Sequence, residues 1–133
     1  GTYQYKNSCY RYEGNWVYGI KHGKGILYLP NDTIYEGDFN HGEITGIGVK
    51  RYKDGSIYNG SFLNGEYHGQ GIFTSINERY EGEWMNNVRH GKGELLLTNG
   101  TIYKGIFKNH FLHGYGEIKW NDGSQYIGMW VSD

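Results

Sequence analysis

The chain has 133 residues, and its 13 Lys and Arg against 14 Asp and Glu give a net charge of −1. That balance gives no general reason to bind nucleic acid, which calls for a basic field. Gly and the aromatic residues number 23 each, alanine is absent, and Cys9 is the only cysteine. This composition favours strands and turns over helices, rules out an internal disulfide, and fits a reducing compartment. No apolar run approaches the ~18 residues of a membrane-spanning helix.

Residues 1–11 read as part of a unit that then recurs in full. Tyr12, Tyr35, Tyr58, Tyr80, Tyr103 and Tyr126 follow one another at intervals of 23, 23, 22, 23 and 23 residues. Two residues after each stands a glycine (Gly14, Gly37, Gly60, Gly82, Gly105, Gly128). Four after each stands a second ring: Trp16, Phe39, Phe62, Trp84, Phe107 and Trp130. A Gly-x-Gly pair then follows in each full copy: Gly23/Gly25, Gly46/Gly48, Gly69/Gly71, Gly91/Gly93 and Gly114/Gly116. A fixed period of this length marks a repeat architecture. The copies are 12–34, 35–57, 58–79, 80–102 and 103–125, with partial ones at 1–11 and 126–133, all in one domain. The last copy stops in mid-hairpin, so the chain is expected to belong to something longer.

Each copy predicts two short strands. In "TIYEGDF" alternation puts Tyr35, Gly37 and Phe39 on one face and Glu36 and Asp38 on the other. The first turn needs a residue with positive φ, and Gly19, Gly42, Gly65, Asn87 and His110 stand there. The second turn ("PND", "KDG", "TNG", "NDG") reads as a three-residue loop, a type I turn followed by a left-handed bulge residue. Pro30 suits the first central position of such a turn. This choice pairs Leu27 with Tyr35, Gly25 with Gly37 and Gly23 with Phe39. It equally pairs Ile118 with Tyr126, Gly116 with Gly128 and Gly114 with Trp130. Glycines then oppose rings on one face, and each ring can lie on a bare backbone. "TSINERY" is one residue short and "YKNSCYRY" one residue long, both read as local distortions of the second turn.

Consecutive hairpins predict an all-β fold, an elongated single-layer antiparallel meander. Strand spacing makes it roughly 55 Å long, and twist should curve it into a trough.

Motifs that suggest chemistry have plainer readings. His22, His68, His90 and His113 share one repeat position. Adjacent copies lie about 10 Å apart, too far for equivalent imidazoles to share an ion, so they are expected to hydrogen-bond loop backbone. His110 and His113 share a loop without a supporting cysteine or carboxylate pattern. "GKG" at 23–25 and 91–93 precedes no helix, so it is not a phosphate cradle. Glu13, Glu36 and Glu81 are spread along the strip, and Cys9 has no identified base, so neither catalysis nor a cofactor or metal is expected.

"YEGNWVYGIKHGKG", "YEGDFNHGEITGIG", "YNGSFLNGEYHGQG", "YEGEWMNNVRHGKG" and "YKGIFKNHFLHGYG" resemble the core of the MORN (membrane occupation and recognition nexus) repeat. The departures are Thr45 for the usual His, and Asn87 and His110 for the usual Gly. The resemblance implies a hairpin ribbon with a scaffold or targeting role. Members are associated with membrane junctions, cytoskeletal or ciliary assemblies, and non-catalytic regions of lipid kinases and a lysine methyltransferase. It implies a cytoplasmic, cytoskeleton- or membrane-associated protein.

Three functional expectations follow. The first is a scaffold that binds a partner peptide or helix along a face lined by Tyr12, Trp16, Tyr35, Phe39, Tyr58, Phe62, Tyr80, Trp84, Tyr103, Phe107, Tyr126 and Trp130. Its end strands, Gly1–Tyr5 and Tyr126–Val131, could also pair two copies as a homodimer. The second is a peripheral module for anionic phospholipid headgroups, with Lys50, Arg51 and Lys53 as the basic spot. The third is a regulatory region of a larger enzyme.

Overall fold

A computed structural model describes the backbone of residues 2–4 and the whole of residues 11–130. These form one open sheet of twelve strands in sequence order, every neighbouring pair antiparallel. The strands are β1 (Thr2–Gln4), β2 (Arg11–Val17), β3 (Ile20–Leu29), β4 (Thr33–Asn40), β5 (Glu43–Arg51) and β6 (Ile57–Leu63). They continue as β7 (Glu66–Thr74), β8 (Glu78–Met85), β9 (Val88–Leu97), β10 (Ile102–Lys108), β11 (Phe111–Lys119) and β12 (Gln125–Trp130). The described residues contain no helix, and hence none long and apolar enough to cross a membrane.

The register matches the sequence reading at both tested hairpins. Leu27 faces Tyr35, Gly25 faces Gly37 and Gly23 faces Phe39. Ile118 faces Tyr126, Gly116 faces Gly128 and Gly114 faces Trp130. The loops at 53–55, 98–100 and 121–123 are type I turns with a bulge. Gly55, Gly100 and Gly123 each donate N–H to the residue three back and hold φ of 91°. An Asx bond braces each of them, for example Asp54 Oδ1 accepting the Ser56 N–H at 2.8 Å.

Pro30 departs from this pattern. Asn31 and Asp32 take φ of 62° and 56°, and Thr33 N–H donates to Pro30 O. Pro30 therefore precedes the two central residues. Without a glycine in third place, "PND" cannot take the bulge position cheaply, and Asn and Asp supply the left-handed pair instead.

The short copy keeps its register by losing one loop residue. Phe73 still faces Tyr80, and Ser75 Oγ accepts the Asn77 and Glu78 amides in place of the missing backbone bond. The long stretch, including Cys9, lies outside the described residues. Tyr3 faces Tyr12.

At the first turn the predicted residues all take positive φ, from 70° at Asn87 to 85° at Gly42. The residue before each does so too: Tyr18, His41, Asn64, Asn86 and Asn109, all near 50°. This is the mirror-type turn that suits sheet twist. It aims one amide at the preceding copy. Gly42 N–H donates to Lys21 O, Gly65 to Ile44 O, Asn87 to Tyr67 O and His110 to Arg89 O, at 2.8–3.1 Å. A ladder of turns thus runs along one edge of the strip.

Between that turn and the rings lies a bulge. Gly37 faces Gly48 and Phe39 faces Ile44, so Asp38 alone opposes Thr45, Gly46 and Ile47. Asp38 caps the bulge by accepting the Ile47 N–H at 2.8 Å, and Glu83 does the same for Lys92 at 2.5 Å. The first glycine of each Gly-x-Gly pair sits here. Gly46 has φ of 117° and packs against Asp38, not against a ring. It is glycine for its backbone conformation, and only the second glycine makes room for an aromatic side chain.

Candidate partner-binding face

The repeat tyrosines are seated on that second glycine. A Cβ built on Gly48 would lie 2.5 Å from the Tyr35 ring, and one on Gly71 within 2.2 Å of the Tyr58 hydroxyl. Tyr12 over Gly25 and Tyr80 over Gly93 repeat the arrangement. Each hydroxyl reaches past the glycine to a carbonyl three residues on: Tyr12 to Asn15, Tyr35 to Asp38, Tyr58 to Ser61 and Tyr80 to Glu83, at 2.7–3.0 Å. Bulged backbone that lacks ladder bonds is thereby satisfied. Burial pushes the Tyr80 phenol up to about 12, and Tyr35 and Tyr58 rise further for the same reason.

The second rings stand edge-on to the first. Phe39 meets Tyr12 and Tyr35 at 5.0 and 5.3 Å, and Phe62 meets Tyr35 and Tyr58 at 5.0 Å each. Trp84 packs on Tyr80 and Tyr58 and donates its indole N–H to Gly71 O at 3.1 Å. Alternating T-shaped contacts run from copy to copy, a favourable geometry for aromatic quadrupoles.

The outcome differs from an open trough of ring edges. Tyr12, Tyr35, Tyr58 and Tyr80 have no exposed area, and Phe39, Phe62, Trp84 and Phe107 are buried. Trp16, Tyr103 and Trp130 are half-buried, and Tyr126 is exposed on the last strand. A single layer can bury such large side chains because glycine recesses each tyrosine into the sheet and its neighbours roof it over. Tyr103 breaks the pattern. Gly116 has Trp130 and Leu112 above it instead of the Tyr103 ring, and the Trp130 indole N–H is buried without a partner.

A second tier lies above the buried rings, at one repeat position that reading the constant residues overlooks. Nine residues after each tyrosine come Lys21, Ile44, Tyr67, Arg89 and Leu112. Lys21 sits 5.6 Å over the Tyr12 ring, Tyr67 stacks on Tyr58 at 3.8 Å, and Arg89 covers Tyr80 at 5.6 Å. The signal was in the sequence: the period is constant there while the chemistry changes. Leu29, Tyr52, Phe73 and Leu97 flank this tier, half-buried against the same core.

The three basic residues read as one spot are separated. Lys50 pairs with Tyr35 and Tyr58 and so lies on the ring face, its ammonium 5.4 Å from the Tyr52 ring. Arg51 falls on the opposite face with Glu36 at 3.6 Å. Lys53 is in the second-turn loop, 3.9 Å from Asp32. Alternation divides adjacent strand residues between faces.

The histidines lie at the turn ladder. His22 Nδ1 accepts the His41 N–H at 3.3 Å, and Thr45 Oγ1 takes over that role for Asn64 at 3.0 Å. Nδ1 of His68 and of His90 is buried without a partner. Among the described residues no group of three His, Cys, Asp or Glu side chains is placed to hold a metal ion.

His110 belongs to the same edge. Its Nδ1 accepts the Arg89 N–H, while the Arg89 guanidinium donates to His110 O at 2.7 Å and meets Glu78 at 3.4 Å. Burial first, then the Arg89 charge, holds this imidazole below the usual histidine range, with Glu78 opposing. A base whose folded-state affinity for protons is lowered costs stability as pH falls, because the unfolded chain takes up the proton first. His110→Asn, which keeps a residue tolerant of positive φ, is therefore expected to lose less of its thermal midpoint than the parent between about pH 7.5 and 5.5. Equal losses would show that His110 is not a source of the acid sensitivity.

Fold and face together define an open ribbon of β-hairpin repeats in which constant residues build the sheet and variable ones dress its surface. The MORN repeat family model matches five times in tandem, at residues 12–34, 35–57, 58–77, 80–102 and 103–125. The chain belongs to the MORN-repeat family. The family is a non-catalytic repeat module, generally associated with protein and membrane interaction. Among curated proteins no relative matches the chain.

Proposed function

We propose that residues 1–133 act as one scaffold domain that binds a segment of a protein partner along the ring face. The observation that carries this reading is the second tier. Trp16, Leu29, Ile44, Tyr52, Phe73, Leu97 and Leu112 form a half-buried apolar surface along one face of a sheet that has no second layer among the described residues. Large apolar groups without a covering layer mark an interaction surface; the opposite face has exposed ones too, among them Ile47, Phe111 and Met129, but there they are interleaved with ion pairs. The buried tyrosines act through this tier by holding it flat and in register.

The partner is expected at a cytoskeletal or membrane structure, as the family's associations suggest. Self-association through β1 and β12 is a second mode of the same scaffold, since among the described residues each of these strands is paired on one side only. The headgroup reading of Lys50, Arg51 and Lys53 has less behind it now that the three point in different directions.

The test is a proximity cross-linking comparison in cells. Ile44→Ser with Leu112→Ser is expected to lose most captured partners while the thermal transition survives. Phe62→Ala and Trp84→Ala serve badly here, because both rings are core and their loss reports folding. Unchanged capture by the Ile44/Leu112 variant would remove the ring face from the binding role. Co-sedimentation with vesicles that depends on phosphatidylserine, and is insensitive to that variant, would favour the membrane reading instead.

A further inference from the structure

The charges are sorted between the two faces of the sheet. By strand alternation, the ring face carries Lys21 opposite Trp16, Lys50 opposite Tyr35, Arg89 opposite Trp84, and Glu78 opposite Leu97. No other charged side chain of the described strands falls on that face. Glu78 is turned to Arg89, 3.4 Å away, so the face offers no unengaged carboxylate. The opposite face holds the ion pairs Arg11–Glu13, Lys24–Asp38, Arg51–Glu36, Arg79–Glu81 and Lys104–Glu94, which offset one another. A chain of almost zero net charge thus presents a ring face whose unoffset charges are cationic and an opposite face whose charges nearly cancel, the latter carrying exposed apolar side chains such as Ile47, Phe111 and Met129.

Among the described residues no carboxylate pairs with Lys50, and its ammonium is held over Tyr52 at 5.4 Å. Lys21 rests over Tyr12 and Trp16 at 5.6 and 6.0 Å. Each ammonium is thus held within cation–π range of an aromatic face, on a side chain that is partly exposed. Two strand spacings and about five residues of rise separate them by roughly 20 Å. Ile44 stands between them on β5, half-buried against the core.

We propose that the ring face takes an acidic, apolar segment of a protein partner, its apolar stripe on Ile44 and the flanking tier and its carboxylates on Lys21 and Lys50. This rests on the scaffold reading above and adds the partner's chemistry. A basic segment would meet two like charges and no anion to offset them, so the same surface selects against it.

The experiment is selection of a phage-displayed library of randomised peptides about 20 residues long, enough for a helix of about 30 Å, on the whole strip. Enriched peptides are expected to be net acidic with a recurring apolar stripe, and to bind about tenfold more weakly to Lys21→Glu/Lys50→Glu, a loss typical of two reversed part-exposed charges. Lys92→Glu, on the opposite face, should leave affinity unchanged, and high salt should shrink the difference. Neutral or basic winners, or an equal loss with Lys92→Glu, would overturn the proposal while leaving the scaffold reading in place. Peptides whose binding ignores both the charge reversal and Ile44→Ser/Leu112→Ser would sink the two together. Binding of the strip to phosphatidylserine vesicles that is abolished by Lys21→Glu/Lys50→Glu, with no acidic peptides enriched, would reassign the face to a lipid surface.

Discussion

Gly48→Ala is expected to destabilise the strip by about 3 kcal/mol, at the severe end of single-methyl insertions. The added Cβ would sit 2.5 Å from both Cε1 and Oη of Tyr35. Real Cβ contacts do not come so close, so the ring must lift. Lifting it breaks the hydroxyl bond to Asp38 O at 2.8 Å and the edge contacts with Phe39 and Phe62. Gly48 does not occupy the left-handed region, so backbone strain contributes little and the cost is steric. Gly65→Asn is the control. That position has φ of 83° and open space around an added Cβ, and the matching place in the next copy is already Asn87 at 70°. It should stay within about 0.5 kcal/mol of the parent. Urea titration of the two variants decides the matter. A neutral Gly48→Ala, or a Gly65→Asn that costs as much, would mean the glycines are not seats for the tyrosines.

Tyr58→Ala should cost about 4 kcal/mol, as for other large aromatic truncations in cores. Its ring is fully buried at the middle of the strip, stacked on Tyr67 and edge-on to Phe62 and Trp84. Tyr58→Phe should cost about 1–2 kcal/mol, by leaving Ser61 O without the phenol that now donates at 2.8 Å. Each hairpin packs chiefly on its sequence neighbours, so the damage is local before it is global. Amide exchange in the alanine variant should rise first in β6 and β7, and less in β2, β3, β10 and β11. A uniform rise along the chain would contradict nearest-neighbour stabilisation. Equal costs for the Phe and Ala variants would assign the stability to the hydroxyl and not to the ring.

How far the sequence could be read depended on whether a feature is periodic. Tyr, Gly and the second ring recur at a fixed step, and a strand has only two faces. Their spacing therefore fixes the strand pairs Leu27–Tyr35 and Ile118–Tyr126 and places the rings on one face. The positive-φ residues of the first turn were equally legible, since Gly, Asn and His are the types that tolerate that region. Loop geometry was less so. Pro30 looks like a type I residue in isolation, but the missing third glycine overrides it, and that is a property of the whole loop. The two glycines of each Gly-x-Gly look alike in one dimension. Only the bulge shows that Gly46 is there for its φ and Gly48 for its missing side chain.

What the chain determined by itself is its class: repeat length, strand order, register and family follow from local spacing, because each hairpin needs only its neighbour. What the tertiary structure decided is which residues remain on the surface. The rings that dominate the sequence vanish beneath one another. The residues left on the surface above them are the ones that change from copy to copy. Exposure depends on packing across copies, and adjacent residues such as Lys50 and Arg51 end on opposite sides of a sheet one residue thick. No count of charges or rings along the chain contains that third dimension.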